Sequence, residues 1–95
     1  MKVEEVKKEM VAAATKRENT QIELFEHKID LLEKEIAIKT RTGVHTIEGK
    51  HVYDNDPEYQ SLLVELTVAN LRDAQNAMQA EIDKIKEHQM MREAE

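Results

Sequence analysis

Both glycines, Gly43 and Gly49, and the only proline, Pro57, fall within residues 40–57, TRTGVHTIEGKHVYDNDP, of this 95-residue chain. Glycine and proline are the strongest interrupters of helices, so the two flanks can each run as one helix. The layout that follows is a single domain over 1–95: helix one about 2–40, an insert 41–56, and helix two about 57–92. The fold class is all-α, two long helices in an antiparallel hairpin or coiled coil that oligomerises into a helical bundle, with an insert compatible with a β-hairpin.

The first flank carries Val3, Val6, Met10 and Ala13 on one helical face, then Thr15 to Thr20, TKRENT, without an apolar residue. Thr15 with Glu18 and Thr20 with Glu23 match capping-box spacing. A continuous helix with a local irregularity is the expected outcome. Ile22, Phe25, Ile29, Leu32 and Ile36 then repeat at 3, 4, 3, 4, the seam pattern of a helix packed along a partner. Leu24, Leu31 and Ile38 widen that stripe, as suits a helix touching two neighbours.

Gly43 lies where a helix C-terminus favours a left-handed residue. The insert offers Val44, Thr46, Ile47, Val52 and Tyr53 around Glu48-Gly49, β-prone residues about a tight turn. A two-residue turn sets Thr46 opposite His51, and a three-residue loop sets His45 there. Asp56 then reads as an N-cap, with Pro57 at the first helical position and Glu58 in the first turn. Along helix two, Leu62, Leu66, Met78, Ile82 and Ile85 are the expected seam positions, helical in period but drifting around the axis. At roughly 1.5 Å per residue each helix spans roughly 55 Å, and the matched lengths place both termini at one tip.

Charged residues make up 36 % of the chain and aromatics 3 %, which leaves little for a globular core and favours a coiled coil or narrow bundle. Self-association, at least to a dimer, is therefore expected, together with a further protein partner. Fourteen Lys and Arg stand against 20 Asp and Glu, a net charge of -6; a phosphate-backbone binder needs the opposite balance, so no direct nucleic-acid contact is expected. The absence of cysteine removes thiol chemistry and disulfides. The start, MKVEEVKKEM, lacks a signal-peptide apolar core, and no run of about 18 apolar residues suggests a membrane span. A cytoplasmic setting is the expectation.

His45, Glu48 and His51 fall within seven residues and form a sparse candidate metal set, since a hairpin would bring the imidazoles together. Two histidines and one carboxylate on a short loop are more often solvated, and no metal or other cofactor is expected. Glu23, Glu26, His27 and Asp30 lack the Glu-x-x-His spacing of carboxylate-bridged metal bundles. Ser61 is the only serine, and no nucleophile, base and orienter set assembles around it; no enzymatic activity is expected.

Two long helices joined through a hairpin resemble a shortened prefoldin-type chaperone subunit, and the Asn55-Asp56-Pro57 opening of helix two is similar to the turn in type III secretion needle subunits. These likenesses, one of layout and one of a three-residue turn, carry no site residue over. The expected function is that of a non-enzymatic coiled-coil interaction protein, an assembly, scaffolding or chaperone-like component in a bacterial or phage setting. The alternative is a small acidic inhibitor of a basic enzyme or nucleic-acid-binding surface. It rests on Glu58, Glu65, Asp73, Glu81, Asp83, Glu87, Glu93 and Glu95 against Arg72, Lys84, Lys86 and Arg92. Within the seam, Ile29→Asp is expected to be severe and Glu33→Ala, one step off it, nearly silent.

Overall fold

The computed structural model describes residues 3–45, 53 and 55–94. Two helices account for nearly all of them: α1, Val3–Thr42, and α2, Pro57–Ala94. They pack side by side in a body 72 × 23 × 16 Å. The described residues hold no strand, and the sequence-predicted hairpin around Glu48-Gly49 lies outside them.

Each helix end follows from local chemistry. Glu4 and Glu5 occupy the first turn of α1, and Lys39 and Arg41 its last, both complementing the helix dipole. Gly43 stops the helix with φ +82°, and its N–H donates to the Lys39 carbonyl at 2.9 Å, the closing bond of a left-handed C-cap. Asp56 opens α2: its carbonyl accepts from the Gln60 N–H at 2.9 Å and its Oδ2 from the Tyr59 N–H at 3.4 Å. The Tyr53 ring, 5.5 Å from that of Tyr59, packs against the start of the helix.

α1 is one unbroken helix through residues 15–20. Thr15 and Thr20 do not cap there; the Thr20 hydroxyl donates to the Lys16 carbonyl at 2.9 Å, one turn back. Nor does the register falter. Thr15, Glu18, Ile22, Phe25, Ile29, Leu32, Ile36 and Lys39, with Ala14 beside the first of them, are the shielded positions of α1, and those eight are spaced 3 and 4 without interruption. The polar stretch therefore belongs to the same seam as the apolar one.

The partner face on α2 is Leu71, Gln75, Met78, Ile82, Ile85, Gln89 and Arg92, again at 4 and 3. Toward the insert this face broadens to Tyr59, Gln60, Leu63, Val64, Thr67 and Val68. Cross-contacts run in opposite sense along the two chains, Gln60 to Val44, Arg72 to Glu33 and Arg92 to Glu18, so the helices are antiparallel. The similar helix lengths, 40 and 38 residues, nevertheless do not bring the ends level. Arg92 reaches Thr15, which leaves about 12 residues of α1, roughly 18 Å, beyond that hydrogen bond. Residues 3–13 are exposed throughout.

The core is thin. Ile22, Ile36 and Ile82 are the buried apolar side chains among the described residues, Ile82 being 1 % exposed, and Gln75 is the buried polar one.

Candidate functional site

Among the described residues the hollows beside the helix seam are open grooves, so the candidate site is the surface of the hairpin itself. Of the expected seam, Ile22, Ile36 and Ile82 are buried, while Phe25, Ile29, Leu32, Met78 and Ile85 are half-buried between the helices. Leu62 and Leu66 fall elsewhere. Leu62 is 61 % exposed and Leu66 nearly as much, because the shielded face over this stretch passes through Leu63, Val64 and Thr67.

Two polar clasps tie the helices together. In the middle, Arg72 Nη2 donates to Glu33 Oε1 at 3.3 Å, and Arg72 Nη1 donates to Glu33 Oε2 and, at 3.0 Å, to Gln75 Oε1. The Gln75 amide donates in turn to the Ile29 carbonyl and to Glu33 Oε2, both at 3.0 Å. A buried amide is costly without partners, and Gln75 has both its donor and its acceptor satisfied. Near the termini, Arg92 Nη1 donates to Glu18 Oε2 at 3.0 Å and Nη2 to Glu18 Oε1 and to Thr15 Oγ1 at 3.0 Å. Gln89 Nε2 donates to Asn19 Oδ1 at 3.0 Å and more weakly to Glu18.

The clasps set their own ionisation. The Arg92 hydrogen bond, aided by Gln89, holds the Glu18 carboxyl below the ordinary glutamate value, and Arg92 is raised reciprocally. Glu33 is lowered by its bonds from Gln75 and Arg72, in that order. These are structural ion pairs and their carboxylates lie below the range of a general base near neutral pH.

A third tie closes the insert end. Gln60 Nε2 donates to the Val44 carbonyl at 2.8 Å while the Val44 N–H donates to Gln60 Oε1 at 3.1 Å, so one amide side chain stands in for a backbone partner. The Gln60 oxygen also lies where a side chain on Gly43 would intrude, 2.9 Å from an ideal Cβ.

No protein-family model, curated protein or solved structure matches this chain.

Of the metal candidates, His45 is exposed with Nε2 3.1 Å from the Thr42 carbonyl, a contact that ties the ring to the end of α1 when that nitrogen carries the proton. Glu48 and His51 lie outside the described residues. Among the described residues no three His, Asp or Glu side chains converge as a metal site, and no helix is long and apolar enough to cross a membrane. What the hairpin does present is apolar surface. Leu24, Leu31 and Ile38 are each about half-exposed, and Val3, Met10, Leu62, Leu66, Met90 and Met91 are more so.

Sequence reasoning missed Gln60, Gln75, Gln89 and Arg92 as contact residues. Their 3- and 4-residue spacing from the apolar seam was the available signal, hidden because only apolar residues were counted. Glu33 is likewise no bystander, since it accepts from both Arg72 and Gln75.

Proposed function

We infer that this protein is a non-enzymatic helical interaction protein, whose hairpins associate into a bundle that serves as an assembly, scaffolding or chaperone-like component. The observation that carries the reading is the disproportion between core and surface. Among the described residues three apolar side chains are buried, whereas eleven large hydrophobics stand exposed along the two helices, with Tyr53 exposed between them. Single exposed apolar residues are ordinary, but a row of them on a rod this narrow is the kind of surface that partners cover. The polar groups of the two clasps are already paired with each other and offer no spare chemistry for catalysis.

Sedimentation equilibrium across micromolar concentrations tests the reading. A dimer or larger species with undiminished helicity supports it. A strictly monomeric, fully folded chain overturns it.

A further inference from the structure

The two flanks of the seam differ in kind. On one side a groove is lined by Glu26, Asp30, Glu33, Arg72 and Gln75, and its central charges are spent on the clasp described above. On the other side a groove is lined by Lys28, Leu31, Leu32, Glu35 and Met78. Leu31 here is 48 % exposed, and Leu24 and Ile38, seven residues before and after it, are exposed to the same degree. Seven residues fall only about 20° short of two full turns, so the three side chains form a row nearly parallel to the helix axis, spaced by roughly 10 Å. Lys28 and Glu35 border this row, and neither makes an ion pair among the described residues.

We propose that a second copy of this chain covers this flank, its α1 running antiparallel to the first about a two-fold axis at Leu31. The inference rests on the self-association read above and says where it occurs. A two-fold interface must be self-complementary, and the row is so under reversal. With Leu31 on the axis, residues whose numbers sum to 62 face each other, which sets Leu24 against the second copy's Ile38 and Leu31 against its equivalent. Lys28 and the second copy's Glu35, which sum to 63, then lie about one residue rise, roughly 1.5 Å, from direct opposition. The two-fold makes that pairing twice. Charge complementarity thus points to a second copy, laid in the reversed sense, as the occupant. Each clasp flank stays outside the contact, so the hairpins join without rearranging their own seams.

Charge reversal tests the pairing, because Lys28 and Glu35 are exposed and their exchange leaves the monomer fold intact. In low salt, Lys28→Glu sets like charges opposite each other twice and is expected to weaken the dimer about tenfold by sedimentation. Lys28→Glu combined with Glu35→Lys restores the complementarity in swapped form and is expected to return the dissociation constant to within about twofold of wild type. Leu31→Glu, at the axis, is expected to leave folded monomers. Circular dichroism checks that each variant keeps its helicity. Wild-type chain that is monomeric removes the self-association reading and this interface together. Wild-type oligomers that ignore Lys28→Glu and Leu31→Glu leave the self-association reading standing and overturn this interface, moving the contact to the α1 overhang or to Leu62 and Leu66.

Discussion

The two clasps use the same three side-chain types, Glu, Arg and Gln, and yet differ in what they replace. Glu33 and Arg72 sit beside an apolar seam and are about half-exposed; Glu18 and Arg92 occupy seam positions themselves and are about one-fifth exposed. In the middle of the hairpin, packing holds the helices and the clasp adds direction through the buried Gln75. Toward the termini the ion pair is what fills the space between the helices. The same chemistry is therefore an ornament of the seam in one half and its substance in the other, because charge interactions gain as water is excluded.

Ile82 lies midway between the clasps, seven residues from both Gln75 and Gln89, and is the most buried side chain among the described residues. Ile82→Asp should cost roughly 3 kcal/mol or more and abolish cooperative melting, since it disrupts the packing that both halves share. A thermal scan that keeps wild-type cooperativity would show that the halves are held independently. Gln75→Ala is expected to cost about 1–3 kcal/mol, combining lost packing with the unpaired clasp groups it leaves behind, as read by urea unfolding.

Arg92→Ala should lower the melting temperature more than Arg72→Ala, because it strands a shielded carboxylate where the other leaves a solvated one. Replacing both partners, Glu18→Leu with Arg92→Leu, continues the apolar seam in register and should give a melting temperature equal to or above wild type. Equal effects of the two arginine variants would erase the distinction drawn here.

The smallest effect is on pH. Glu18 and Glu33 both have folded values lowered beneath the ordinary 4.5. Their contribution is therefore complete above that value and lost as pH falls through the lower folded values, when the unfolded chain binds protons first. Melting temperature should fall on acidification below about pH 4.5, and less steeply in the Glu18→Leu, Arg92→Leu chain. Identical acid profiles would mean that the terminal clasp contributes nothing.

The sequence made the helix ends legible because they depend on single residues: Gly43 adopts the left-handed backbone and Asp56-Pro57 starts α2. It made the apolar centre of the α1 seam legible by spacing alone. The rest was obscured by a rule of counting. Thr15, Glu18, Gln89 and Arg92 occupy seam positions as polar residues, and a polar residue signals a seam only when its partner on the other helix is known. Leu62 and Leu66 lie off the face between the two helices for a related reason, since a wide apolar face over 59–68 contains several helical spacings and only the neighbouring helix decides which points inward. The stagger of the ends was illegible from length, because helix lengths say nothing of register.

The hairpin itself, each chain folding back on its own first helix, is most directly tested by an intramolecular distance. The chain has no cysteine, so Thr20→Cys and Glu87→Cys place two spin labels uniquely on exposed positions near the terminal clasp. Diluting the doubly labelled chain in excess unlabelled protein isolates the separation within one molecule. Packed antiparallel helices lie about 8–10 Å apart, so labels on their outer surfaces should give one narrow distribution at roughly 20–30 Å. A distribution beyond about 60 Å, approaching the roughly 78 Å that the two helices span laid end to end over these residues, would mean an open chain whose helices pair only with other copies, and would contradict the fold described here.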